Sequence, residues 1–332
     1  MESVNADVKN RDFGRIYLIY GDEPYLVNYN KNKLCDAVAA KDDNMNRTVF
    51  SDKNLQVRDI IALADTLPFL AEKRLILVED SGFFKKAPAD SDELVDYIKK
   101  IPEESVIVFA ESEVDKRGKL YKAVDKNGRV VLCKEQSPEI LVKWIAGYLK
   151  ESGKTMRRSA ASLLLERAGT GMYRLKNEMD KLISYVGDRD EILEKDIQEV
   201  SAVNIQSSVF AMIDDIAEGR QKKALERYYE LLMLREPAMR ILVLLSREFN
   251  MLLLAKEMSG EKKNYKEMAS VMKVPDFAVR KYVSAAGRLS RGQILRAIGD
   301  CVRTDNDIKK GLINDRIGTE LLIIKYSGNR GN

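Results

Sequence analysis

Thr66-Leu-Pro-Phe-Leu-Ala-Glu-Lys-Arg-Leu-Ile-Leu-Val-Glu-Asp80 is the stretch from which the rest of the chain is read. From Arg74 to Val78 it runs on in apolar residues and ends in Glu79-Asp80, the pattern of a strand covered on both faces of a parallel sheet. Pro68 biases Leu67 out of the helical region, so a helix arriving from upstream is predicted to stop there. Phe69 and Leu70 then fall at the turn from helix into strand. A large apolar pair at a turn is costly unless something covers it, either the fold or a partner.

Outward from that strand, other apolar runs repeat the signal. Arg15 to Tyr20 ends at Gly21, and Arg47 to Phe50, Ser105 to Ala110 and Arg129 to Cys133 follow. Between them lie helix-like stretches: Asp22 to Ala40, then Val57, Ile60, Ile61 and Ala64 at helical spacing behind a Ser51 or Asp52 cap, then Leu94 to Ile101 and Lys119 to Val124. Five strands alternating with helices predict an α/β domain with a parallel sheet over residues 13–136. Residues 1–12 are polar and read as a loose tail.

A parallel sheet of this kind binds ligands beyond the carboxyl ends of its strands. A phosphate loop there needs successive backbone N–H groups and a lysine between strand and helix. This chain offers Gly21-Asp22-Glu23-Pro24 instead. Two carboxylates repel phosphate and a proline cannot donate, so no ATP is expected at this loop. The literal Gly153-Lys154-Thr155 follows a helix, has Tyr148 where the motif needs its first glycine, and reads as a helix terminus. Leu75 to Asp80 resembles the metal-holding strand end of a nucleotide hydrolase. With the phosphate loop lost, its acids are expected to cap the next element. Together these features describe an ATPase relic with no cofactor and no bound metal.

At 332 residues the chain is too long for one ordinary core, and two or three domains are expected. Ser137 and Pro138 open an all-helical stretch, read as one small domain over 137–204 and a bundle over 205–327. The bundle is apolar enough to offer an interface for oligomerisation. The sequence holds no histidine, which removes imidazole acid–base chemistry and His-dependent triads. Cys35, Cys133 and Cys301 lack metal or redox spacing and read as small buried side chains. No long uncharged apolar run and no signal-peptide pattern is present, so a cytoplasmic protein is expected. The net charge of +4 is compatible with weak contact to nucleic acid.

The order and spacing of several segments resemble the delta subunit of the bacterial DNA polymerase III clamp loader. They are Ile16-Tyr-Leu-Ile-Tyr-Gly-Asp-Glu-Pro-Tyr-Leu26, then Thr66-Leu-Pro-Phe-Leu70 with Glu72-Lys-Arg-Leu75, then Ser208-Val-Phe-Ala-Met-Ile-Asp-Asp-Ile-Ala-Glu-Gly219. Asp305-Asn-Asp-Ile-Lys-Lys-Gly311 and Glu320-Leu-Leu322 complete the set. The resemblance implies an AAA+-like α/β domain without ATPase activity, a helical lid and a helical collar. It implies a hetero-pentamer with the ATPase subunits gamma or tau and with delta prime, acting on primer-template DNA within the DNA polymerase III holoenzyme. It also implies that the subunit binds and opens the ring-shaped sliding clamp (beta) with an apolar pair on the first domain. Carried onto this chain, the pair is Phe69 and Leu70, with Thr66, Leu67 and Pro68 shaping the approach; the division of work within the pair stays open. The competing readings are an active AAA+ ATPase and a helical protein that binds DNA without sequence preference. For the latter, Arg157-Arg158 and Lys309-Lys310 are the candidate contacts, though such pairs more often lie on solvated faces.

Overall fold

Strands form where the apolar runs sit in the computed structural model, which describes residues 2–51, 55–88, 90–202, 204–274 and 276–328. The chain divides into two units, residues 1–136 and 137–332. In the first unit the order is α1 (Glu2–Asn10), β1 (Ile16–Tyr20), α2 (Pro24–Val38), β2 (Arg47–Phe50), α3 (Val57–Ala64), β3 (Arg74–Glu79), α4 (Ser91–Tyr97), β4 (Ser105–Glu111), α5 (Lys119–Asn127) and β5 (Arg129–Leu132). The five strands make one sheet in the order β2-β3-β4-β1-β5. Every pairing is parallel. β1 therefore lies between β4 and β5, so the connection from β4 to β5 passes over it.

This placement follows from burial. Every residue of β1 and β4 is buried, and only Glu79 at the end of β3 is not. The shorter β2 and β5 take the half-exposed edges. Side chains alternate between the faces of a strand. Ile16, Leu18, Ile76, Val78, Ile107 and Phe109 accordingly share one core with Val57 and Ile60 of α3, Leu94 of α4, and Leu120 and Val124 of α5. The intervening Tyr17, Ile19, Leu75, Leu77, Val106 and Val108 are buried on the opposite face, where α2 packs on β1, β3 and β4.

The expected N-terminal tail is a helix. In α1, Val4 is fully buried, and the buried Asp7 carboxylate accepts a hydrogen bond from Tyr17 Oη at 2.8 Å and an ion pair from Arg129 Nε at 3.0 Å. Asp7 thus ties the helix to β1 and β5, which polarity alone does not reveal. Burial is the main reason the Tyr17 phenol is pushed far above its ordinary range. The cap expected for α3 also differs. Gln56 holds the N-cap position without a side-chain bond, Ser51 lies upstream of it, and Asp52 falls outside the described residues. α3 ends at Ala64, ahead of Leu67, because Asp65 and Thr66 already turn back through N–H bonds to Ile61 and Leu63.

The second unit runs α6 (Pro138–Glu151), β6 (Thr155–Met156), α7 (Arg158–Ala168), α8 (Met172–Val186), β7 (Glu191–Ile192), α9 (Glu194–Val200), α10 (Ile205–Ala217), α11 (Gln221–Met233), α12 (Ala238–Gly260), α13 (Tyr265–Met272), α14 (Asp276–Gly287), α15 (Arg291–Lys309) and α16 (Asp315–Ser327). Pro275, read as the start of α14, lies outside the described residues. The unit is not wholly helical, since β6 and β7 form a two-residue parallel ladder. Gly153 follows α6 at φ 68°, and Lys154 Nζ donates to the carbonyls of Gly187 and Arg189 at 2.7 and 3.0 Å. The Gly-Lys-Thr stretch is therefore a helix end that docks the ladder. Ser137 is the N-cap residue of α6 but contributes no side-chain cap. α12 is the axis of the larger core, with Ile241, Leu245, Phe249 and Leu252 buried against α10, α14, α15 and α16. No helix among the described residues is long and apolar enough to cross a membrane. The three cysteines are free and buried, and burial pushes their thiols up to about 11 for Cys133 and about 12 for Cys35 and Cys301.

If α1 packs on the first unit in this way, Asp7→Ala leaves the buried Tyr17 hydroxyl without its acceptor and removes one of two carboxylates beside the part-exposed Arg129 guanidinium. The expected loss is about 2–3 kcal/mol, read from urea unfolding of the full chain. A loose tail would give no change.

Candidate functional site

The loop of residues 65–73 joins α3 to β3 and carries the apolar pair. Leu67, Phe69 and Leu70 are 73%, 56% and 92% exposed, so the fold does not cover them. Leu70 has φ 52°, in the left-handed region, which costs a non-glycine residue about 1–2 kcal/mol. Such a conformation persists where the surrounding bonds fix the backbone.

Those bonds come from two buried polar side chains. Asn46, immediately before β2, is 3% exposed. Its Oδ1 accepts from Phe69 N at 2.6 Å and its Nδ2 donates to Phe69 O at 2.9 Å, so one amide pairs with both polar groups of the Phe69 backbone. Asp43 holds that amide from behind, accepting from Asn46 N and Nδ2 at 2.9 Å each. The side-chain bond from Asn46 is the main reason the Asp43 carboxyl sits below its ordinary value, with Arg74 adding a smaller attraction. Arg74, buried at the first position of β3, donates from Nε to Thr66 O at 2.9 Å and from Nη2 to Leu67 O at 3.1 Å. Ser105 Oγ donates to Ala64 O at 2.6 Å at the base of the loop. Neither Asn46 nor Arg74 was singled out by the sequence reading. The available signal was a charged residue opening an apolar strand, which reads equally well as a solvated end. Met45, next to Asn46, adds a further exposed apolar side chain.

Asn46, Arg74 and Ser105 all stand at the amino ends of strands, so this loop lies at the amino edge of the sheet. The crevice where a nucleotide would bind is at the other edge, about 20 Å away along the six residues of β3. There Gly21 leads directly into α2. Glu23 is the N-cap residue, Pro24 follows it, and the buried Glu23 carboxylate accepts from Tyr25 N at 3.0 Å. Glu23 N in turn donates to Cys133 O at 3.1 Å. A helix N-terminus ordinarily attracts an anion, and here the protein's own carboxylate occupies it. Glu135 is raised above its ordinary carboxyl range by burial first, then by Glu23 and Asp22, a sign of negative potential around the loop. Gly21 has φ 147°, and a Cβ there would meet Cys133 O at 2.0 Å, so the backbones of β1 and the chain after β5 are in close approach.

The strand-end acids are likewise engaged internally. Glu79 pairs with Lys31 of α2. Asp80 Oδ1 accepts from Ser112 N at 3.0 Å. The buried Glu111 accepts from Ser81 Oγ and, at 3.1 Å, from Gly82 N; burial is the main cause of its raised pKa. Among the described residues no group of three or more His, Cys, Asp or Glu is placed to hold a metal ion. Of the predicted site residues, Thr66 to Leu70 thus share one loop and Gly21 to Pro24 another, at opposite edges of the sheet.

Comparison with known proteins finds matches over most of the chain. The family model described as DNA polymerase III, delta subunit, matches residues 17–134, and the model of the C-terminal domain of the DNA polymerase III delta subunit matches residues 206–326. DNA polymerase III subunit delta of Bacillus subtilis is 25% identical over 96% of this chain and 94% of its own length. A probable DNA polymerase III subunit delta of Aquifex aeolicus is 24% identical over 64% of this chain and 62% of its own. The solved structure of the Bacillus subtilis DNA clamp loader delta protein superposes with a TM-score of 0.74 at 25% identity, covering 98% of this chain and 99% of that one.

The closed crevice makes a direct stability prediction. Gly21→Ala combines an unfavourable backbone angle with a clash against Cys133 O and is expected to destabilise by more than about 2 kcal/mol, measured by denaturant titration. An unchanged midpoint would mean that the loop is more open than this.

Proposed function

The chain belongs to the DNA polymerase III delta subunit family, and from that premise we propose that it binds the sliding clamp through loop 65–73 and opens one interface of the ring without hydrolysing ATP itself. The observation that carries this reading is the pair Phe69 and Leu70, exposed on a backbone fixed by Asn46 and Arg74. Two apolar side chains entering a pocket contribute about 1.5–3 kcal/mol each, and interface energy concentrates in such anchors. Opening follows only to the extent that the loop binds the opened ring better than the closed one.

ATP enters this scheme through the partner subunits, gamma or tau, with delta prime completing the pentamer. Residues 137–204 would serve as the lid and residues 205–327 as the collar that joins the assembly. Primer-template DNA is then met within the assembled loader. Within the basic pairs, Arg157 is paired with Glu191 at 2.8 Å and Lys309 with Asp305 at 2.6 Å. Against the ATPase reading stand the Glu23 carboxylate on the α2 N-terminus and Pro24 at its first position.

A Phe69→Ala/Leu70→Ala double variant is expected to lose at least about 100-fold in affinity for the cognate clamp. Its melting temperature should move by no more than about 2 °C, because both side chains are exposed. Binding at the parent level would remove the loop from the clamp contact, and a large drop in melting temperature would return the pair to the core. In parallel, labelled ATP with magnesium should give no saturable binding to the isolated chain. A stoichiometric isotherm would restore the ATPase reading.

A further inference from the structure

We propose that Asn46 and Arg74 are positioning residues for the partner contact, setting the affinity of loop 65–73 without touching the partner themselves. The inference rests on the clamp-binding reading of that loop and extends it to residues outside it. Both side chains are buried polar groups, and both direct hydrogen bonds at the backbone of the exposed loop. Asn46 pairs with Phe69 as a neighbouring strand would, satisfying its N–H and its C=O with one planar amide. The Arg74 fork takes two successive carbonyls, Thr66 and Leu67, on the other side of Pro68. The residues that present the apolar side chains are thus fastened on both sides of the proline, and Leu70 follows in its left-handed conformation.

Two exposed anchors on a free nine-residue connection would lose that freedom on docking, and the loss would subtract from affinity. Fastened in advance, they lose little. A backbone bond is also insensitive to which apolar side chain the loop carries, so these two residues would fix the direction of presentation while the tip sets the fit. Arginine suits the task better than lysine, because its planar fork can reach two carbonyls from one fixed plane.

The test measures clamp affinity by equilibrium titration for the full chain and for Asn46→Ala, Arg74→Lys, Leu70→Ala and the Asn46→Ala/Leu70→Ala pair, with hydrogen exchange on each free protein. Asn46→Ala and Arg74→Lys are each expected to weaken binding by about tenfold to a hundredfold. Faster exchange should be confined to residues 65–73. In the Leu70→Ala background, Asn46→Ala should weaken binding clearly less than in the parent, with the remaining loss carried by Phe69, since residues acting through one another are not additive. Equal losses in both backgrounds, or faster exchange spreading through β2 and β3, would make Asn46 a fold-holding residue and overturn the proposal. Arg74→Lys provides the second arm should Asn46→Ala unfold: retained affinity with normal exchange in that variant also overturns it. If Leu70→Ala and the Phe69→Ala/Leu70→Ala variant bind like the parent, the clamp reading itself fails, a result distinct from either of these.

Discussion

A strand buried on both faces leaves its two ends as the places where polar chemistry or a partner can reach it. β1, β3 and β4 are such strands, and the constraint sorts the whole first unit. Their parallel pairing sends every carboxyl end to one edge and every amino end to the other. Each edge then solves the same problem differently, since loops there must satisfy their own backbone groups. At the carboxyl edge, acids from the chain itself bond the turns. At the amino edge, Asn46 and Arg74 bond a loop whose apolar side chains are left facing solvent.

At the carboxyl edge a helix N-terminus is satisfied from within the chain. A phosphate bound at a helix N-terminus is held by orphan N–H groups and a favourable dipole. In α2 the first of those N–H groups is absent at Pro24, and Tyr25 N bonds Glu23 instead. Glu111 likewise satisfies the Ser81-Gly82 turn, and Lys31 is paired with Glu79. A triphosphate would have to displace a buried carboxylate and enter a neighbourhood that holds Asp22, Glu23 and Glu135, the last raised mainly by burial and further by the other two. Internal satisfaction of this kind keeps the sheet intact and, on the proposed reading, leaves no cradle for ATP.

How much of this could be read in advance depended on whether side-chain pattern or tertiary bonding decided the outcome. The central strands were legible because burial on two faces writes itself as unbroken apolar runs, and the shorter edge strands because their apolar runs recur between helices. The apolar pair drew notice because it sits at a turn, its exposure being what the sequence left open. α1 was not legible: its polar surface is real, and buried Val4, the Asp7 link to Tyr17 and Arg129, and the Asn5 bond to Lys33 hold it down. β6 and β7 escaped because two-residue ladders carry no period. Asn46 and Arg74 escaped for a subtler reason. A buried polar residue and an exposed one look alike in sequence, and what separates them here is a set of bonds to a backbone more than twenty residues away in the case of Asn46.

The separation of the two edges also bears on control. With Phe69 and Leu70 already exposed and their backbone already fastened in the isolated chain, no change at the Gly21 crevice is needed to present them. A nucleotide bound there would in any case have to act across the length of β3, which is paired with β2 on one side and β4 on the other. On the proposed reading, access to the clamp therefore has to be regulated by occlusion: a neighbour in the assembly covers the loop or withdraws from it. ATP would act on that neighbour's position, and the affinity of the loop itself would stay constant through the cycle. Such a division requires a presenting surface that does not soften when uncovered, and a backbone bonded from beneath by Asn46 and Arg74 meets that requirement better than one stabilised by contacts at its own tip.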